Sequence, residues 1–499
     1  MPSFDTIVIG AGPNGLAAAH RLAKGGASVL VLEAGAVPGG GAAALAHLSY
    51  NLDPRVAAGM DLARHGLKWA TTALPTTALA VDGNHLRMEG VLGERLSGAV
   101  DPADIAAWAE LRARLLRFAA VLAPLNTMTP PRPAADPKNP LLKLAMIGLK
   151  ARMMGAAEFR ELGRIFLTNV FDLLDDELRS PLLKGALAFD ATLGSWLGPR
   201  SPNSVLPWLY RLSGQTEGRQ GALGLPEGGM PALAAAMVKA ATAAGVTLRC
   251  NARVDRIDVA DGTATGVTLT SGEQIAARRI VSALAPKTTL MSLVGPRHLD
   301  NGLYTRARLQ KARGGAARLD LTLSALPDFR GADPTHRLLI APSEHHVERA
   351  FNPVKYGEVP EEPVMEIVIS PVTEGLHRLS AIVQYAPHAP ADRDAARAAM
   401  LAACLLQLGR HAPGFGGKVT EARLRMPYDI EAESGLPGGN WHAGELSVEQ
   451  MLFLRPLPGI AQYRTPIAGL WLASAGCHPG GGVSGTPGWN AALAMEADR

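Results

Sequence analysis

Within its first fifteen residues this chain carries Gly10-Ala11-Gly12-Pro13-Asn14-Gly15, a turn that few folds can accommodate. The residues before it, Thr6-Ile7-Val8-Ile9-Gly10, form a short apolar run rich in β-branched side chains, suited to a buried parallel strand. In G-x-G-x-x-G the first glycine permits a tight turn and the second lets backbone approach a pyrophosphate. The third allows a helix to pack closely on the strand. The helix expected from about Leu16 to Lys24 points its free N–H groups and the positive end of its dipole at the phosphates. Gly25-Gly26 ends it, and Ser28-Val29-Leu30-Val31-Leu32-Glu33 reads as a second strand. Glu33 lies 18 residues after Gly15, where an acidic side chain accepts hydrogen bonds from ribose hydroxyls. The glycine pattern alone is weak in a chain with 54 glycines. The strand, helix and acidic residue in order make it a nucleotide site rather than an ordinary turn.

The next residues, Ala34-Gly35-Ala36-Val37-Pro38-Gly39-Gly40-Gly41, indicate which nucleotide. A glycine cluster just past the acidic residue lets the chain pass close to a second part of the cofactor, which extended FAD requires and NAD does not. Near the other end, Gly480, Gly482 and Gly485 repeat the pattern after the strand-like Leu470-Trp471-Leu472-Ala473-Ser474. Only 14 residues follow Gly485, too few for a crossover and its second strand. This turn therefore reads as the start of a last helix whose N–H groups face the flavin end of FAD. The expected cofactor contacts are Gly10, Gly12, Pro13, Asn14, Gly15, Glu33, Ala34, Gly40 and Gly41 from one end of the chain. Gly476, Gly482, Val483 and Ser484 come from the other.

Further stretches complete a pattern: Gly228-Gly229-Met230, Gly438-Gly439-Asn440-Trp441-His442-Ala443-Gly444-Glu445, Leu454-Arg455-Pro456, Tyr463-Arg464-Thr465-Pro466 and His478-Pro479-Gly480-Gly481-Gly482-Val483-Ser484-Gly485. Together with Val8 to Gly41 they make the chain resemble the phytoene desaturase-related branch of the flavin amine oxidase superfamily, along its whole length. That branch holds carotenoid desaturases, ketolases and polyene isomerases. The resemblance implies an α/β fold in which a Rossmann-like FAD-binding domain (GR2-type) carries an inserted α+β substrate domain with a mixed sheet and helices. It also implies that Val254 meets the adenine through its backbone. The chain departs from the family at Gly41, where an arginine is common, in a short segment between Gly41 and Asp53, and at Pro231, where a glycine is expected.

A chain of this length is expected to form two or three cores. Residues 222–290 return to the texture of a dinucleotide domain, with a helix to about Ala244 and strands near 246–253, 265–270 and 279–282. Residues 103–220 read as mostly helical, 316–325, 363–372 and 378–387 as strands, and Arg393–Leu408 as an amphipathic helix. The FAD-binding domain is assigned to 1–75, 218–295 and 450–499, and the substrate domain to 76–217 and 296–449. Net charge is only +4 and no basic tract with interleaved aromatics occurs, which excludes nucleic acid as a partner class. Three scattered cysteines, no room for a leader before the first strand and no uncharged apolar run of membrane-spanning length point to the cytoplasm. The segment Asn139 to Gly155 is apolar except for Lys143, Lys150 and Arg152. It has two readings: a helix lying on a membrane surface, which makes the protein membrane-peripheral, or an ordinary domain helix with a basic edge in water.

The chemistry is assigned to the flavin, since no nucleophile triad or metal-ligand cluster stands out and no metal is expected. His442 and Glu445 are the expected catalytic polar groups, against the plainer reading of a loop held by hydrogen bonds. His478, in the flavin turn, and Arg455 and Arg464, at a domain interface, are expected to be structural. Three activities compete. The first is FAD-dependent desaturation or dehydrogenation of an apolar isoprenoid or lipid-like small molecule, with dioxygen or a quinone as electron acceptor. The second is amine or alcohol oxidation. Amine oxidases of this superfamily flank their flavin with an aromatic cage, and Trp489 is the one aromatic near the C-terminal turn. The third is redox-neutral polyene isomerisation or a non-catalytic flavoprotein.

Overall fold

The computed structural model of the chain describes residues 4–40, 45–131, 145–146, 148–149, 152–373 and 375–498. Gly41 and most of the basic segment, Lys143 and Lys150 included, lie outside the described residues. No helix among the described residues is long and apolar enough to cross a membrane.

Two sheets organise the chain. The first has seven strands, in the order Thr247–Arg249, Val29–Leu32, Phe4–Ile9, Gln274–Ser282, Thr263–Leu269 and Val254–Ala260, with Leu470–Leu472 also pairing with Gln274–Ser282. Its parallel strands are buried on both faces. Val8, Val31 and Val281 pack with the helices Pro13–Lys24 and Met230–Ala243, while Ile7, Ile9, Leu30 and Leu32 fill the opposite side. Period-two alternation puts apolar groups on each face, so the strands read as continuous hydrophobic runs. The helix Thr486–Ala497 closes this unit by packing against Pro13–Lys24. The contact is close enough that a Cβ on Gly488 would stand 1.8 Å from the carbonyl oxygen of Asn14.

The second sheet has eight strands, in the order Val419–Arg425, Ala316–Leu323, Leu376–Gln384, Val364–Thr373, Arg337–Ile340, Thr76–Ala78, Leu86–Glu89 and Arg95–Gly98. One face is apolar: Leu319, Ile367, Leu379 and Val383 pack with Met400, Cys404 and Leu408 of the helix Arg393–His411. The alternate residues Arg318, Asp320, Glu366, Ser380 and Gln384 are polar. Most of them are buried too, on the face turned away from that helix. Helices of residues 102–212 pack around a further core that includes Trp108, Phe189 and Trp208.

The α/β architecture, the helices among the described residues of 102–212 and the strands near 316, 363 and 378 follow the sequence reading. The antiparallel strand Val254–Ala260 and the short strands at 76–98, 337–340 and 419–425 are additions to it. Val254–Ala260 pairs with the next strand and those at 76–98 pair with one another, but they are short or carry few buried residues, while 337–340 and 419–425 pair only with strands far along the chain.

Candidate active site

The phosphate-binding turn is built as its glycines require. Gly10 has a φ of +96°. A Cβ on Gly15 would stand 2.0 Å from the Gly10 carbonyl oxygen, so helix and strand could not pack with any other residue there. Gly12 differs: the nearest atom to a Cβ there is 4.0 Å away, so the protein itself leaves that space open. Gly12 is also the N-cap of the helix Pro13–Lys24 and offers no side-chain cap, which leaves the first-turn N–H groups for a ligand. The Oδ1 of Asn14 is buried without a partner. The second glycine cluster folds onto this turn, and a Cβ on Gly40 would approach the Gly12 Cα to 2.8 Å.

Glu33 ends its strand beside the turn. Its Oε2 accepts from the Ala11 N–H and its Oε1 from the Gly35 N–H, each at 2.8 Å. Segment 251–252 donates to the carbonyls of Gly35 and Glu33, and Val254 opens the strand that follows. Ala34 lies between these two bonded positions. Glu33, Ala34 and Val254 thus gather at one end of the turn.

At the other end, Gly482 and Val483 border the same cavity as Pro13 and Asn14. The two distant glycine turns meet around one space. Val483 holds a φ of +62°, a strained conformation for a β-branched residue. Ser484 accepts from the Asp53 N–H through its carbonyl, and its Oγ accepts from the Thr486 N–H, which fixes the helix start. A Cβ on Gly476 would stand 2.4 Å from Pro286 Cδ. Cys477 is buried and its thiol is pushed up to about 11 by burial, so it stays protonated. Tyr210 Oη donates to the Gly481 carbonyl at 2.9 Å, and Asn51 Nδ2 donates to it at 3.3 Å.

His442 lies against Gly481, where a Cβ would stand 2.6 Å from its Nδ1. The Trp441 indole N–H donates to His442 Nε2 at 3.1 Å, so the single proton of the neutral ring sits on Nδ1. That Nδ1 is buried without a partner, and His442 borders the cavity. Burial, aided by the Arg455 charge, holds the ring neutral down to about 3. His442 is therefore built to donate a hydrogen bond. Glu445, the other expected catalytic group, is engaged by Arg313. Its carboxylate takes the Arg313 backbone N–H at 3.1 Å and the guanidinium at 2.8 and 3.2 Å, and it does not border the cavity. It positions the loop. His478 is fastened to the Leu125 carbonyl at 2.7 Å, and Arg464 pairs with Asp498 at the surface.

The cavity is open to solvent, with about 970 Å³ free of protein atoms when the solvent at its mouth is included, and its wall is mainly apolar, with Leu45, Leu48, Pro207, Ile382 and Leu446. A polar wall that sequence reasoning missed crosses it. Glu366 accepts from His47 Nε2 and from Arg337 Nε, both at 2.5 Å. Arg337 also reaches Asp190 at 2.5 Å, and Arg211 lies 3.4 Å from the same carboxylate. Burial would raise the Glu366 carboxyl, but the Arg337 charge and His47 override it and hold it well below the usual range. Burial keeps His47 below its ordinary value despite Glu366. Glu366 was detectable in principle as the one charge in the apolar run Val364-Met365-Glu366-Ile367-Val368. Tyr50 and Tyr210 also border the cavity beside Gly481 and Gly482. Trp489 packs instead on Gly59 and Arg21.

Three buried histidines predict an acid limit to stability. His20 and His478 are pushed down to about 4 and His442 to about 3, in each case chiefly by burial, from 6.5. Below pH 6.5 the unfolded chain takes up protons that the folded protein refuses. Stability is thus fully present above that pH and falls as pH drops toward 4, by up to ~1.4 kcal/mol per pH unit for each histidine. Denaturant midpoints measured at pH 7.5, 5.5 and 4.5 should fall in that order, and a flat series would contradict this burial.

Residues 5–358 match the profile of a family described as FAD dependent oxidoreductase. Pyridine nucleotide-disulfide oxidoreductase domain-containing protein 2 of Mus musculus is 28% identical, over 100% of this chain and 94% of its own length. Hydroxyneurosporene desaturase of Rhodobacter capsulatus is 29% identical, over 99% of this chain and 98% of its own. Among solved structures, cyclohexylamine oxidase from Brevibacterium oxydans shares the fold over 100% of both chains, with a TM-score of 0.59 at 18% identity.

Proposed function

The chain belongs to the FAD dependent oxidoreductase family, and on that premise we propose that it dehydrogenates a lipid-like small molecule held in the cavity between the two glycine turns. The observation that carries this reading is that one largely apolar cavity is bordered by both turns, so a substrate bound there lies against the cofactor's reactive end. FAD, when bound, accepts the hydride. In our reading Gly10, Gly12, Gly15 and the first turn of the following helix hold the pyrophosphate. Glu33, Ala34 and Val254 hold the adenosine end, while Gly482, Val483 and Ser484 hold the flavin end. His442 presents its Nδ1–H to the flavin or substrate from across Gly481. The substrate loses two hydrogens, one as hydride and one as a proton released to solvent or a basic group. Dioxygen or a quinone then takes the electrons. The relative named hydroxyneurosporene desaturase supports this reaction class.

A second reading, amine or alcohol oxidation, is favoured by Tyr50 and Tyr210. The fold brings to the turn aromatic rings that its neighbouring sequence lacks. Anaerobic titration of the purified flavoprotein separates the two. Bleaching of the visible flavin band by polyenes or other lipids, and not by amines or alcohols, is the expected result. Bleaching by amines or alcohols alone would replace the first reading with the second.

A further inference from the structure

The polar wall of the cavity is unequally satisfied. Both oxygens of Glu366 are taken, by His47 and Arg337. Both oxygens of Asp190 are taken by Arg337, at 2.5 and 3.3 Å. Arg337 is fully enclosed by these partners. Arg211 is different. Its contacts with Asp190 come from Nη1 alone, at 3.4 Å to a carboxylate oxygen and 3.4 Å to the backbone carbonyl. Among the described residues its Nε and Nη2 make no hydrogen bond. Its side chain is 11% exposed and borders the cavity. The Arg211 Cζ lies 4.9 Å from the centre of the Tyr50 ring, within cation–π range. Tyr50 Oη lies 2.8 Å from where a Cβ on Gly482 would stand. A single tyrosine ring thus separates these free donors from the flavin-end turn.

A guanidinium with an open edge in a mainly apolar cavity suits one kind of partner, a planar anion that takes two parallel N–H groups. A cation has no free carboxylate here and would meet the Arg211 charge. A pure hydrocarbon would leave the donors unpaired, at the cost of a buried unsatisfied polar group. We propose that Arg211 is the specificity residue of this cavity and that the substrate is an amphipath whose carboxylate pairs with it while the apolar body lies toward Gly482. Arg211 and Asp190 also form the partition to a second, smaller cavity of about 440 Å³ with Leu74, Met88, Leu92 and Trp208 in its wall. This inference rests on the lipid-dehydrogenase reading for the identity of the cavity as the substrate site.

The test is equilibrium binding to the oxidised holoprotein, followed by perturbation of the flavin spectrum, with decanoate, decanamide and decylamine as probes. Wild type should bind decanoate at least about tenfold more tightly than decanamide, and decylamine most weakly. Arg211→Gln should erase the preference for decanoate over decanamide while leaving decanamide binding within about twofold, and Arg211→Lys should restore only part of it. Equal affinity of decanoate and decanamide in wild type would overturn the proposal without recourse to any variant. So would a carboxylate preference that survives Arg211→Gln. Anaerobic bleaching in the same cuvettes keeps the two readings apart. Carboxylate-selective binding without bleaching by any lipid would overturn the dehydrogenase reading and leave the Arg211 contact standing. Bleaching by neutral lipids with no carboxylate preference would do the reverse.

Discussion

Gly15→Ala is expected to yield protein that purifies without flavin. The added Cβ would stand 2.0 Å from the Gly10 carbonyl oxygen and 3.1 Å from Ala283 Cβ. The first is a backbone atom of the turn that follows the strand Phe4–Ile9, so relief requires the helix Pro13–Lys24 to move off the sheet. That movement withdraws the helix N-terminus from the pyrophosphate, and overpacking of this kind costs roughly 1–3 kcal/mol or more. Gly12→Ala is the informative contrast. Its Cβ meets nothing of the protein closer than the Gly40 Cα at 4.0 Å, so the fold should keep its unfolding midpoint while the ligand space is filled. Flavin-to-protein absorbance ratios and denaturant midpoints read both variants. Full flavin content in Gly15→Ala would refute the packing argument. A lowered midpoint in apo Gly12→Ala would show that the protein, not the cofactor, requires that glycine.

Arg455→Met should be nearly as damaging, by a different route. The Arg455 guanidinium is buried and donates to the carbonyls of His442, Gly444, Glu445, Gln450, Ala475 and Cys477, at 2.7–3.3 Å. It has no carboxylate among these partners, and burial lowers it only to about 10, so it is charged at neutral pH. The charge is held by carbonyl dipoles from both the His442 loop and the segment leading to the flavin turn. Removing the fork leaves those carbonyls buried without a donor, a loss of roughly 3–5 kcal/mol. Lysine has three donors on one point and cannot span the set, so Arg455→Lys should recover little. The expected result is a large drop in the urea midpoint together with weakened FAD retention. A midpoint within experimental error of wild type would show that water takes over the role of the guanidinium.

Much of this protein was legible before any coordinates. The turn at Gly10–Gly15, Glu33 and the late turn at Gly480–Gly485 each carry their meaning locally, because glycine positions and a strand-to-helix switch are short-range signals. Arg455, expected with Arg464 at a domain interface, donates to backbone carbonyls of the His442 loop and of the segment before the flavin turn. His442 was singled out by sequence, but its tautomer was not. That depends on the Trp441 indole N–H pointing back at Nε2. The Arg313 contact that holds the Glu445 carboxylate comes from far away in sequence and has no local mark.

The amino-acid order by itself determined the cofactor class, the α/β architecture and the fact that the two ends of the chain must meet. Each follows from patterns of a few residues whose backbone conformations allow little choice. The character of the substrate cavity was decided only by tertiary structure. Tyr50, Asp190, Arg211 and Glu366 come from four separate segments, and none is marked by its immediate neighbours as a wall residue. Their meaning lies in which donors and acceptors remain unpaired after folding. That is a property of long-range packing: Arg337 satisfies both carboxylates and leaves the open edge of Arg211 facing the cavity.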